Sequence, residues 1–143
     1  MSVNTALPVK LAARAYGPES TPAEVAAIKN RIYPYRGDIL MYRELPIQSL
    51  FHLDLFEERL NELSSRMHTY ALLIDLTEAE FPSAAVRARL KKMFIGQRKL
   101  RRVAVFTGKN FIINTAAKFV LSDNAMAPFS VHTLEQQAIA ALG

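Results

Sequence analysis

Tyr70-Ala-Leu-Leu-Ile-Asp-Leu76 is apolar on both of the faces that alternate along an extended chain, with Asp75 as the interruption. A strand of that kind has other elements packed on each side, as happens in mostly parallel sheets whose crossover helices cover the faces. The segment is therefore expected to be the central strand of an α/β sheet. It falls far short of the ~20 apolar residues that cross a bilayer, and it reads as core.

The same alternation of strand and helix extends in both directions. Downstream, after the loop Thr77 to Pro82, Ser83 to Phe94 sets Val86, Leu90, Met93 and Phe94 on one helical arc, and Gly96 offers a stop. Ser83 is read as the cap of that helix. Arg102 to Thr107 is a second buried strand, parallel to the first because a helix between two buried strands demands a crossover. A turn at Gly108-Lys-Asn then leads to a helix expected to bury Ile112, Ala116, Phe119 and Val120. Pro128 to His132 reads as a last strand. Thr133 with Gln136 has the spacing of a capping box for a closing helix that carries Leu134, Ala138, Ile139 and Leu142.

Upstream, Asp38 to Glu44 alternates Ile39 and Met41 with Leu40 and Tyr42, a strand pattern. Leu53, Phe56, Leu60, Leu63 and Met67 recur at helical spacing. Asp54 with Glu57 gives a capping box for that helix, and Glu62 with Arg66 an i,i+4 ion pair. The expected fold is α/β, with a mostly parallel central sheet over residues 38–143. Residues 1–37 are expected to form an N-terminal β-α arm packed on it, its strand at Val9 to Tyr16 and its helix opening at Thr21-Pro-Ala-Glu24.

Composition fits one domain. The chain has 143 residues, half of them apolar and 22% charged, the balance of an ordinary soluble protein. Without cysteine there is no disulfide, no thiolate nucleophile and no cysteine-bound zinc, which suits a reducing cytoplasm. Pro8, Pro18 and Pro22 interrupt the apolar run that a signal peptide would need, so a cytoplasmic protein with no membrane span is expected.

Little in the sequence points to catalysis. His52, His68 and His132 are scattered singly, and His52 with Asp54 is a poor ligand pair because residues two apart on a helix diverge. No Gly-x-Ser-x-Gly is present, and Gly108-Lys109-Asn110 lacks the second glycine and the hydroxyl residue of a phosphate loop. Five glycines make little provision for close approach of a cofactor, and none is expected. Charge is the conspicuous feature. From Arg87 to Arg102 there are eight basic residues and no acid, so a chain of net charge +5 carries +8 in that window and −3 outside it.

Leu73-Ile-Asp-Leu-Thr-Glu-Ala-Glu-Phe-Pro-Ser-Ala-Ala-Val-Arg-Ala-Arg-Leu90 resembles the central segment of STAS domains, the anti-sigma factor antagonist family. There a buried strand ends in Asp-Leu, a short loop reaches an apolar residue, and a serine opens the next helix. The resemblance covers about three quarters of the chain, from Asp38 to Gly143. It implies a STAS-like regulatory module that works by binding another protein, with no chemistry of its own. Switching members of the family read Asp-Ser-Ser or Asp-Ser-Thr and then glycine, whereas this chain reads Ser83-Ala84-Ala85-Val86. Alanine fills the phosphoserine position, which argues against a phosphorylation switch. The chain looks more like the divergent STAS-like branch of bacterial proteins, some of which are compared with CRAL-TRIO lipid-binding folds.

The expected partner is an acidic protein, met by Thr77, Ser83, Arg87, Lys91, Lys92, Arg98 and Lys99. A one-sign patch speeds encounter with an acidic surface and makes binding salt-sensitive. Nucleic acid ranks lower, because Phe94 is the only aromatic within the basic window. The alternative reading is a carrier of a small hydrophobic, lipid-like ligand, with its pocket among Leu50, Phe51, Phe111 and Phe119. An enzyme using Asp75 or Lys109 ranks third, ahead of a nucleic-acid binder.

Overall fold

The computed structural model describes residues 10–122 and 126–143. Its elements in chain order are α1 (Pro22–Lys29), β1 (Ile32–Arg36), β2 (Ile39–Arg43), α2 (Leu50–Ser64), β3 (Tyr70–Asp75), α3 (Ala84–Ile95), β4 (Leu100–Phe106), α4 (Phe111–Leu121), β5 (Phe129–His132) and α5 (Glu135–Leu142). The five strands lie side by side in the order of the chain, with β1 antiparallel to β2 and every other pair parallel. The fold is α/β, as the sequence implies, and every residue of β3 is buried at the middle of the sheet.

Sequential strand order decides where the helices go. Each parallel crossover steps in the same direction with the same hand, so α2, α3 and α4 fall on one face. Leu40, Tyr42, Leu72, Ile74, Val103 and Val105 point to that face and pack with Leu53, Phe56 and Leu60 of α2, with Leu90, Met93 and Phe94 of α3, and with Val120 and Leu121 of α4. Ile28 of α1 joins them. The alternate residues Ile39, Met41, Ala71, Leu73, Ala104 and Phe106 face the other way and are covered by Ala138 and Leu142 of α5. Ala71, Ala104 and Ala138 are small enough for helix and sheet to approach closely.

The N-terminal region differs from expectation. Lys10 to Tyr16 form no strand, and Val9 lies outside the described residues. The edge strand is Ile32–Arg36, which pairs Ile32 with Tyr42 and Pro34 with Leu40. Gly37 and Asp38 make the turn, and Gly37 takes φ +54° while Asp38 stays at negative φ, as a two-residue hairpin with glycine first requires. This hairpin runs across the 37/38 boundary, so β1 belongs to the sheet. The helix opening at Thr21 is as read, with Thr21 and Glu24 forming a reciprocal capping box.

Two caps and one ion pair also move. Helix α2 starts at Leu50, where Ser49 accepts from the His52 N–H and the His52 ring accepts from the Ser49 N–H. Asp54 therefore sits inside the helix. Glu62 meets Lys29 at 2.9 Å, and Arg66 lies past the helix end. At α5 the Leu134 N–H donates to Gln137 Oε1 at 3.1 Å, one residue later than the Thr133 and Gln136 pattern. Helix α4 buries Ile113, Ala116, Ala117, Val120 and Leu121, and Ile112 is exposed. Among the described residues no helix is long and apolar enough to cross a membrane.

Candidate functional site

The parallel strands all end at one edge of the sheet, and the segments that leave this edge shape its surface. Beneath it, between α3 and α4, a cavity of about 50 Å³ opens toward the loop after β3. Its floor is Tyr42, Ile74 and Val105 from three adjacent strands, one wall is Leu90 and Phe94 of α3, and the other is Ile113, Ala116, Ala117 and Val120 of α4. Gln48, Glu80 and Pro82 complete its lining, and there Gln48 bonds to the Leu45 carbonyl at 3.2 Å and the Glu80 N–H to the Pro46 carbonyl at 2.8 Å.

Glu44 follows β2 and reaches the edge of this cavity, buried with His52. Glu44 Oε1 accepts from the Leu45 N–H at 2.8 Å and from His52 Nε2 at 2.8 Å, while Oε2 accepts from the Tyr42 hydroxyl at 3.2 Å. Because His52 Nδ1 accepts the Ser49 N–H at 2.8 Å, the ring proton sits on Nε2, pointing at the carboxylate. Burial, together with the neighbouring Glu44 charge, pushes the Tyr42 phenol well above its ordinary range, so it stays a donor. The network fixes the start of α2 against the end of β2. Its sequence signal was an acid at the end of an apolar strand, eight residues before an unassigned histidine.

The edge itself is apolar. Leu50 at the start of α2 is 51% exposed, Phe81 before α3 55%, Phe111 and Ile112 at the start of α4 78% and 67%, and Leu134 before α5 47%. Each of these lies on a segment leaving the carboxyl end of a parallel strand. Leu50 and Phe111 thus stand outside the cavity and do not line it, contrary to the pocket expected from sequence. Phe51 is half-buried, and the side chain of Phe119 lies outside the described part of the structure. The real cavity was hidden in the sequence because its makers are two alanines of an ordinary helix.

The sequence-predicted partner residues fall into two groups. Thr77 and Ser83 lie exposed at the carboxyl edge, with Arg87 one turn into α3, its guanidinium 5.2 Å from the Phe81 ring and bonded to the Pro82 carbonyl at 2.7 Å. Lys91 and Lys92 lie further down α3. Arg98 and Lys99 lie beyond its far end, about 18 Å from Ser83 along the twelve-residue helix. Thr77 donates through N–H and hydroxyl to Asp75 Oδ1, and Arg43 donates to Asp75 Oδ2 at 3.1 Å. Both Asp75 oxygens are engaged.

Acids missing from the basic window come from other elements. Arg89 bridges Asp54 and Glu57 of α2, each at 2.9 Å, and Arg101 clamps Asp38 at 2.8 Å and 3.0 Å. The Arg101 guanidinium holds the Asp38 carboxyl below its usual range. Lys99 donates to the Ser64 and Ser65 carbonyls, satisfying the end of α2. Lys92 and Arg98 remain exposed.

Ser83 caps α3 by accepting the Val86 N–H at 3.2 Å. Ser83→Ala is expected to cost about 0.5–2 kcal/mol in urea unfolding. A loss above that range would mean the hydroxyl does more than cap.

Other sequence candidates resolve into structure. The Gly108 N–H donates to Thr133, the Asn110 N–H to Thr107, and Asn110 caps α4 at Ile113, so that turn spends its donors internally. Among the described residues no group of three or more potential ligands could hold a metal. Compared with known proteins, the chain matches no protein family, no curated protein and no solved structure, and its site is judged on its own geometry.

Proposed function

We propose that the chain is a STAS-like, cytoplasmic binding module that acts by holding an acidic partner protein against the carboxyl edge of its sheet. The observation that carries this reading is the gathering of Leu50, Phe81, Phe111, Ile112 and Leu134 on segments that leave one edge. Scattered exposed apolar residues need no explanation, but five drawn from four successive connections at one edge make a contact surface. Exposed Lys109 supplies positive charge at this edge and exposed Lys92 adds to it further down α3, while the loop after β3 also exposes Glu78 and Glu80. Ser83 opening α3 directly after the central strand and its loop supports the STAS-like assignment.

The carrier alternative has less support. A cavity of about 50 Å³ is well below the roughly 150 Å³ that admits even benzene, and a lipid-like ligand would have to push α4 off the sheet.

The test is capture from extracts of the native cells on the immobilised chain, followed by titration with the purified partner. Phe81→Ser with Phe111→Ser removes carbon that is mostly exposed, together with the Arg87 contact to the Phe81 ring, so the double variant should melt within a few degrees of the parent. It should bind the partner at least tenfold more weakly. Equal affinity of parent and variant would overturn the reading.

A further inference from the structure

We infer that the amino edge of the sheet, opposite the edge assigned to the partner protein, binds single-stranded nucleic acid through its phosphates and the faces of its bases. The inference goes beyond the binding reading above, and either can fail without the other.

Three connections meet at this edge: the turn from β1 to β2, the loop from α2 to β3 and the loop from α3 to β4. They bring exposed Arg36, Arg66 and Arg98 together from three separate stretches of sequence. The Arg101 side chain ties the edge across its width, passing the start of β3 to clamp Asp38 at the start of β2. Asp38 is thereby neutralised, and Glu62 in the last turn of α2 is held by Lys29. Here β4 carries one residue more than β3, since Tyr70 pairs with Leu100 and Ala71 with Arg102, and the extra residue is Arg101. Arg102 adds a further cation, with its Nε withdrawn from water and no acceptor for it among the described residues.

Helix ends account for part of this charge. The carbonyls that close α2 attract cations, and Lys99 answers them. Arg36 belongs to a strand and has no helix end to serve. Among the described residues the guanidiniums of Arg36, Arg66 and Arg98 have no partner. Planar forks of this kind match phosphate oxygens two at a time, as lysine does not. With strands about 4.8 Å apart, the row from β1 to β4 spans about 14 Å, enough for several successive phosphates of one strand.

Rings interleave with these charges. Tyr35, 38% exposed, adjoins Arg36, and exposed His68 lies two residues from Arg66. Both fall outside the basic window of the sequence, which is why the window alone looked poor in aromatics. Rings beside guanidiniums give bases a stacking platform while the phosphates meet the charges. A thin row of this kind, with the helices packed lengthwise on the sheet behind it, suits one strand better than a duplex, whose major groove is read by an inserted helix or ribbon.

The experiment follows the fluorescence anisotropy of a labelled oligouridylate of about twelve nucleotides against the full chain at several salt concentrations. The parent is expected to bind with a Kd of about 1–100 μM near physiological salt, weakening as salt rises. Arg36→Gln with Arg98→Gln should bind at least tenfold more weakly and lower the logarithmic salt slope by about 1.4, two contacts at about 0.7 each. Tyr35→Ala should lose about fivefold or more at an unchanged slope. Thermal melts of these variants should match the parent, because the arginine side chains removed bond to nothing in the fold. Lys109→Gln, at the opposite edge, should change the affinity less than twofold, and polyglutamate should compete poorly. No binding at about 50 mM salt, equal affinity for a duplex of the same length, an unchanged slope in the double arginine variant, or equal competition by polyglutamate would overturn the inference.

Discussion

Ile74→Asp is expected to be among the most destabilising single substitutions in the chain. Ile74 lies at the centre of β3, paired with Tyr42 on one side and Val105 on the other, and it belongs to the larger of the two apolar layers. Aspartate there removes a branched side chain from the core and adds a charge with no cation in reach. The buried Asp75 next to it already has its counter-ion in Arg43 and its donors in Thr77, on the opposite face of the strand. An uncompensated buried charge costs about 3–5 kcal/mol, a large part of the roughly 5–15 kcal/mol that a domain of this size has in total. Circular dichroism and urea titration would check it. A variant melting within a few degrees of the parent would show that β3 is not central to stability.

Glu44 should separate two substitutions sharply. Glu44→Ala strands three buried donors at once, the Leu45 N–H, the His52 Nε2–H and the Tyr42 hydroxyl. An unsatisfied buried group costs about 1–3 kcal/mol, so the total is expected to reach about 3–5 kcal/mol. Glu44→Gln keeps an oxygen for Leu45 and His52, and its amide can donate to the Tyr42 oxygen, so it should lose less than about 1.5 kcal/mol. Chemical denaturation of both variants decides the matter. Equal losses would mean that charge, and not donor satisfaction, dominates the network.

What could be read from sequence follows from the range of the interactions involved. The alternation in Ile39–Arg43 and the all-apolar run of Tyr70–Asp75 are local patterns, and both strands lie where expected. Ile32–Arg36 was obscured by Pro34, a residue that breaks central strands but is tolerated at an edge, which is where β1 lies. For α2, two overlapping cap signals competed. Ser49 with His52 prevails over Asp54 with Glu57 because the His52 ring, an unusual third-position cap, also serves Glu44. In α4, Ala116 and Val120 are buried as expected, but Ile113 takes the place of Ile112, since Phe111-Ile-Ile113 permits either isoleucine on the buried side.

The site was harder to foresee, for a physical reason. The basic window looked unopposed because Asp38, Asp54 and Glu57, which answer Arg101 and Arg89, lie more than thirty residues away along the chain. The cavity depends on what faces Ala116 and Ala117, and no pattern within α4 records that. Phe81 alone carried a local hint, as an aromatic residue in a loop otherwise occupied by acids and small residues.

The order β1 to β5 along the sheet also bears on how the chain is made. Each strand pairs with its immediate predecessor, so the sheet can zip together progressively as residues emerge from the ribosome, without waiting for a distant partner. One face gains its cover at every step, as each crossover helix arrives with its strand. The other face waits for α5, the last element, and until then Ile39, Met41, Leu73 and Phe106 lie bare on the nascent chain. That interval exposes a sticky half-built sheet, and the crowding of nascent chains on a polysome makes it the stage at which aggregation or chaperone capture competes with completion of the fold.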